Sequence, residues 1–204
     1  MCLKDTLLTA AFELFLKYGI KSVSMDDISR KLGISKKTIY NFVATKEDLI
    51  AIVLEKHLEK DEKIIKEILA NSEDAIDEMV KITRHVLTFL RNMTPSIIYD
   101  LKKYHPQSWE KLERIHFAFI EKTIYNNLVR GQKEGIYRLN FDPTIISKLY
   151  VHKSTAIADQ DKFPLEDFDR VKLFKEMIRY HLHGIVSDKG SQLIEQQHKN
   201  FIHL

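Results

Sequence analysis

Apolar residues recur along this chain at three- and four-residue spacing, with no sustained alternation of apolar and polar positions, so the pattern predicts helices from one end to the other. The first runs from about Lys4 to Tyr18, turns Leu7, Leu8, Ala11, Phe12, Leu14 and Phe15 inward, and stops at Gly19, placed for a left-handed conformation. A second starts at Ser24, whose hydroxyl can cap it with Asp27 as partner three residues on, and ends at Gly33. A third is capped by Ser35 and ends near Phe42. Thr45 caps a longer fourth, with Glu47 and Asp48 in the first turn, where the helix dipole favours carboxylates.

Further on, Ala75, Ile76, Met79, Val80, Val86, Leu87 and Leu90 mark an amphipathic helix from about Glu73 to Asn92. Trp109, Leu112, Ile115, Phe119, Ile120, Ile124 and Leu128 mark a long one from Pro106 to about Lys133. Shorter helices fit Pro95 to Tyr104 and Pro143 to Ala158, then one from about Phe168 to Val186 and a last polar one from Ser191 to Ile202. Thr94-Pro95 and Asp142-Pro143 each set a capping side chain before a residue whose fixed φ suits a first helical position, and His105-Pro106 and Phe163-Pro164 mark further breaks. An all-α chain follows, with three short helices and a connecting fourth ahead of a helical body. The six glycines and four prolines leave little material for hairpin turns.

Composition narrows the class. A 204-residue chain with 44% hydrophobic residues can bury a core, and at ~150 residues per domain it is one domain or a small head on a larger body. The 32 basic and 29 acidic residues nearly cancel, so the total charge points to no partner, but its distribution does. Between Ile28 and Lys46 lie Arg30, Lys31, Lys36, Lys37 and Lys46 with no acidic residue, an asymmetry that fits a phosphate-bearing partner. The single cysteine, Cys2, cannot form an internal disulfide, which fits a reducing compartment. Asp5 and Glu13 interrupt any signal-peptide core. The longest apolar run, Leu49 to Leu54, is far short of the ~20 residues of a membrane span. A cytoplasmic protein with no membrane partner is expected.

The stretch Ser24 to Lys46 carries the candidate chemistry. Ile28, Leu32, Ile34, Ile39 and Phe42 can close a small core with the first helix, which leaves Lys36, Lys37, Tyr40 and Asn41 together on the outer face of the third, with Thr38 at its edge. A helix docked in a major groove needs this combination: lysines for phosphates or guanine edges, a hydroxyl and an amide for hydrogen bonds, and no carboxylate against the backbone. A merely solvated basic face would carry the same residues. A short helix, a tight turn at Gly33-Ile34 and a second helix exposing these groups is, however, helix-turn-helix order.

These residues carry a resemblance to the TetR/AcrR family of transcriptional regulators. It rests on Ala10 to Phe15 with Tyr18-Gly19, on Ser24 to Ile28, on Leu32 to Tyr40, and on Phe42 with Thr45 to Leu49, and it covers about residues 5 to 50. It implies that Ser24 and Tyr40 contact phosphate, that Lys36, Lys37 and Thr38, with Ser35 and Asn41 beside them, face the groove, and that Lys46 closes the site from the start of the fourth helix. Asn41 stands where the family often has an aromatic residue or His. The implied architecture is a helix-turn-helix DNA-binding domain over residues 1–50, joined by the fourth helix to a helical effector-binding and dimerisation domain over 51–204. The implied function is a sequence-specific DNA-binding regulator, a repressor by family habit, released by a small-molecule effector.

Beyond residue 55 the resemblance is one of layout. Gly135 to Arg138 followed by Asp142-Pro143 is similar to the connection the family uses before its last two long helices. By that analogy those helices pack against their mates in a homodimer, with Ser154, Ala156, Ala158 and Gly184 allowing close crossing, and two heads read a palindromic operator. An effector pocket would lie among the helices beginning near Glu73, Pro95 and Pro106, with His85, Phe89, Tyr99, Trp109, His116 and Phe119 as candidates, although each also fits ordinary packing. No cofactor and no metal is called for. Two other classes share the helical pattern: a module whose head contacts protein, and a di-iron bundle enzyme suggested by the Glu113/His116 and Glu195/His198 pairs. The enzyme reading lacks two further inward carboxylates and any HExxH, Gly-x-Ser-x-Gly or phosphate-loop pattern, so the chain is expected not to be an enzyme.

Overall fold

The computed structural model describes residues 2–92, 94 and 96–197. Among these the chain forms ten helices: α1 (Leu3–Tyr18), α2 (Met25–Leu32), α3 (Lys36–Tyr40), α4 (Lys46–Ala70), α5 (Ala75–Asn92), α6 (Ser96–Tyr104), α7 (Pro106–Lys133), α8 (Pro143–Ala158), α9 (Arg170–Ile185) and α10 (Asp188–Gln197). No strand occurs among the described residues; one isolated antiparallel bridge joins Tyr137 and Val186. Pro95, His198 and Ile202, and the side chain of Ala158, lie outside the described set.

The chain divides into two compact units, Met1–Lys63 with Asn92–His116, and Ile64–Arg91 with Phe117–Leu204. In the first, α1 supplies Leu7, Leu8, Ala11 and Phe15 to a core completed by Ile20, Ile28, Ile39, Leu49 and Ile50. Phe12 and Leu14, also expected to face inward, are partly buried and pack against this cluster. α6 joins the same core through Ile97 and Leu101. Thr94 donates its backbone N–H to the Leu16 carbonyl at 2.8 Å, which fixes the start of α6 to the end of α1. Glu47 in the first turn of α4 accepts from Ser108 at 3.0 Å and pairs with His105, which ties α4 to the start of α7.

In the second unit the core is built from Ile76, Met79, Val80, Ile124, Leu128, Tyr137, Phe174, Ile178 and Leu182. A buried polar network runs through it. The Glu78 carboxylate accepts from Asn127 Nδ2 at 2.8 Å and from Arg130 at 2.9 Å, and Arg130 also donates to Glu134 and to the Ser72 and Glu73 carbonyls. Each charge thus meets partners that offset its desolvation. The Tyr137 hydroxyl lies 3.1 Å from both the Ala75 carbonyl and Asn127 Oδ1, and its ring fills the space beside Gly131, where a Cβ would stand 2.1 Å from Cδ2.

Two element boundaries depart from the apolar pattern. Gly19 has the positive φ expected of it, 82°, but a ψ of 156°, so the chain leaves α1 extended and not in a left-handed turn. α10 begins at Asp188, three residues ahead of the expected Ser191, because Ser187 Oγ accepts from Gly190 N–H at 3.2 Å and the missing Cβ of Gly190 lets the helix approach the Ile136 carbonyl.

Candidate nucleic-acid interface

The first unit shapes its outward face through three successive caps. Ser24 and Asp27 form a reciprocal capping box at α2: Asp27 N–H donates to Ser24 Oγ at 3.2 Å, and the carboxylate accepts from Ser24 N–H at 2.9 Å. Burial of Met25 and Ile28 fixes the roll of α2, which ends on Gly33 at φ 65°, ψ 28°, the left-handed geometry a residue with a Cβ adopts only at a cost. Ile34 N–H closes the turn onto the Ser29 carbonyl at 3.1 Å. Ser35 then caps α3, accepting from Thr38 N–H at 3.1 Å, with the Ser35 and Thr38 hydroxyls 2.9 Å apart. Thr45 and Asp48 repeat the arrangement at α4, with bonds of 2.9 and 3.1 Å.

α3 has only five residues, and its orientation rests on Ile39, which is fully buried, with Leu32, Ile34 and Phe42 packed around the same cluster. With Ile39 inward, Lys37, Tyr40 and Asn41 point outward, and Tyr40 is 47% exposed. Among the described residues Lys37 forms no ion pair, so its ammonium is available to an incoming anion. Ser35 is exposed and Thr38 half-buried, both committed to the cap, and Ser24 is exposed at the start of α2.

Two of the expected contact lysines also have partners inside the unit. Lys36 Nζ lies 2.7 Å from Asp26 Oδ2, and that hydrogen bond raises its pKa. The segment Ile28 to Lys46 is free of acid in sequence but not in space. Lys46 is half-buried and donates to the Ile20 carbonyl at 2.7 Å, and burial lowers its pKa. It braces the loop after α1 against the start of α4. The apolar pattern did not single out Arg30, whose side chain is 79% exposed beside the same turn and only loosely paired with Asp27 at 3.6 Å.

The six effector candidates divide between the units. Tyr99, Trp109 and His116 belong to the first: Tyr99 is exposed, Trp109 packs on the core, and His116 is half-buried with its pKa lowered by desolvation against the opposing pull of Asp61 and Glu62. His85, Phe89 and Phe119 belong to the second and are half-buried, with Lys66 Nζ 6.0 Å from the Phe119 ring. None of the six lines the apolar cleft of about 180 Å³ that Ala51, Leu54, Leu58, Leu112 and Ile115 form within the first unit. No group of three or more His, Cys, Asp or Glu able to hold a metal ion occurs among the described residues. Likewise, none of the described helices is long and apolar enough to cross a membrane.

In the second unit α8 and α9 pack together, with the Tyr150 and His181 rings edge-on at 4.9 Å and Lys153 Nζ 4.7 Å from the Tyr180 ring. They leave Ile145, Leu149 and Tyr180 at 57, 47 and 70% exposure, and nothing stands within 4 Å of where a Cβ on Gly184 would be.

Known proteins resemble both the head and the whole chain. Residues 7–53 match the sequence model of the family described as bacterial regulatory proteins, tetR family. An uncharacterized HTH-type transcriptional regulator of Bacillus subtilis, YvaF, is 24% identical over 189 residues, covering 90% of this chain and 95% of that one. Among solved structures, a TetR-family transcriptional regulator from Agrobacterium tumefaciens aligns with a TM-score of 0.72 at 18% identity, over 90% of this chain and 97% of its own. A putative transcriptional regulator from Saccharomonospora viridis in complex with choline aligns with a TM-score of 0.70 at 18% identity, over the same shares. At these identities the structural likeness establishes the fold.

Proposed function

We propose that this chain, whose residues 7–53 match the tetR family of bacterial regulatory proteins, is a cytoplasmic, homodimeric repressor that reads a palindromic operator with residues 1–50 and releases it when a small molecule binds within residues 51–204. The observation that carries the reading is the outer face of α3. A buried Ile39 fixes the helix so that an exposed Lys37, Tyr40 and Asn41 stand together beyond a left-handed turn at Gly33. Lys37 suits a phosphate or a guanine edge, Asn41 can pair with an adenine edge, and the Tyr40 hydroxyl can donate to a phosphate. Ser24, Ser35 and Thr38 offer hydroxyls around them. Lys36 reaches phosphate by exchanging Asp26 for it, while Lys46 acts by holding the loop that presents Ser24.

The exposed apolar side chains of α8 and α9 support dimerisation. Two heads are needed because a single three-helix head spans too few base pairs for tight specific binding. Effector control requires only that the bound form favour a head spacing that fits the operator poorly, a shift of population without chemistry. The similar Saccharomonospora viridis protein was solved in complex with choline, which supports a small-molecule effector here. For this chain the effector residues remain the proposed six: His85, Phe89, Tyr99, Trp109, His116 and Phe119.

The groove assignment is tested with Lys37→Ala and Tyr40→Ala. Each is expected to lose ~1–3 kcal/mol of operator binding, about 5- to 150-fold by fluorescence anisotropy, with an unchanged melting temperature. Full affinity in both variants would remove α3 from the groove. Unaltered binding to every duplex, with loss of a protein ligand instead, would favour a protein-contacting head.

A further inference from the structure

A second basic cluster stands in the first unit, apart from the outer face of α3. Lys21 Nζ donates to the Tyr104 hydroxyl at 2.9 Å and lies 4.7 Å from the centroid of that ring. Lys103 Nζ lies 5.6 Å from the same centroid and 5.0 Å from that of Tyr99, and it donates to the Tyr99 hydroxyl at 2.6 Å. Two like charges, both exposed, therefore share one phenol ring, and neither forms an ion pair among the described residues. The carboxylate of this cluster, Asp100, is 6% exposed and is engaged from within, accepting Lys21 N–H at 2.9 Å. The aromatic rings and the buried Asp100 hold the two ammonium groups close together while leaving their outer sides unneutralised. An anion bridging them would relieve the repulsion.

The position of the cluster indicates which anion. Lys21 follows Ile20, whose carbonyl accepts Lys46 Nζ from the start of α4, and it precedes Ser24, the cap of α2, by three residues. The two helix starts that flank α3 thus meet at the loop that carries Lys21. α6 is fixed to the same loop through Asp100 and Tyr104 and to the core through Ile97 and Leu101, so Lys103 is held as part of the unit that carries α3. Because Lys21 stands in the loop that leads into the α2 cap, a duplex read by α3 whose backbone passed the start of α2 would bring its next phosphates towards Lys21 and Lys103.

We infer that Lys21 and Lys103, positioned by Tyr104 and Tyr99, bind backbone phosphates of the duplex flanking each half-site. The contact rests on the DNA-binding reading above. It carries no base preference, since a lysine ammonium meets a phosphodiester as a point charge, and it lengthens the footprint beyond the sequence that is read.

The experiment uses the full-length protein and its selected operator in two duplexes, one ending at the half-site edges and one extended by about one helical turn (~10 base pairs) of arbitrary sequence on each side. The wild type is expected to bind the extended duplex about five- to twentyfold more tightly at low salt. The slope of log affinity against log salt is expected to steepen by ~2 to 4 for the four lysines of a dimer. The double variant Lys21→Gln/Lys103→Gln should bind both duplexes alike, at the wild-type affinity for the short one and with the wild-type melting temperature. A wild type indifferent to duplex length, a variant that keeps the length dependence, or a variant weakened equally on both duplexes would each overturn the inference. So would a regulatory defect in cells without any change in duplex affinity, which would point to an acidic protein surface. A folded wild type that binds no duplex of either length would refute the DNA-binding reading itself.

Discussion

Lys36 and Lys37 are neighbours on one short helix, yet Lys36 is held by Asp26 at 2.7 Å while Lys37 forms no ion pair among the described residues. The outward direction of both was legible in the sequence because Ile39 and Phe42 had to face the core. The pairing was not, since it spans ten residues and a turn whose geometry only the left-handed Gly33 sets. The same holds for Lys46, whose partner is a backbone carbonyl that no side-chain pattern reveals. Asp26→Asn is expected to free Lys36 and to increase the salt slope of duplex binding by up to ~1 per head, read from affinities at several salt concentrations. At the second unit's His181, burial together with the charge of Lys153 lowers the pKa from 6.5 to about 4. The unfolded chain takes up that proton below about pH 6.5 and the folded chain does not until about pH 4. Stability is therefore complete above 6.5 and is lost as pH falls through that window, by on the order of 2–3 kcal/mol. Denaturant melts at pH 7 and pH 4.5 should show this loss in the wild type and a smaller one in His181→Phe.

Among the elements, starts were more legible than ends or partners. Ser24, Ser35, Thr45 and Asp142 each stand one residue before a helix, and a hydroxyl or carboxylate there has a defined job, accepting an otherwise unpaired backbone N–H. Thr45→Ala is expected to cost ~1 kcal/mol of stability, measured by urea melts, through loss of the cap on α4. The early start of α10 was hidden because Gly190 looks like an interruption in a polar run, whereas it is the residue that lets the helix touch the Ile136 carbonyl. A Cβ at Gly190 would stand 2.1 Å from that oxygen, which is backbone and cannot rotate away. Gly190→Ala should therefore destabilise the second unit by ~1–3 kcal/mol, in contrast to Gly184→Ala, which meets nothing within 4 Å.

For the whole molecule, apolar periodicity established an all-helical chain with a three-helix head, but it could not assign helices to cores. The short helix expected from Pro95 to Tyr104 carries no mark of the core it joins, and only the structure shows that Ile97 and Leu101 of α6 complete the first unit, which for that reason is discontinuous in sequence. The effector candidates likewise rest on helix and chemistry alone, and the structure divides them three and three between the units. Dimerisation is tested by Tyr180→Glu, which places a charge on the exposed α8 and α9 face and is expected to shift the sedimenting species from dimer to monomer without unfolding it. Two identical heads are expected to read a two-fold symmetric sequence, and the direct measurement is selection of bound duplexes from a random pool with the purified chain. The expected result is enrichment of a palindrome with half-sites about one helical turn apart, bound with an affinity that falls steeply as salt rises. Enrichment of no sequence by folded, dimeric protein, or of an asymmetric site bound by one subunit, would contradict it.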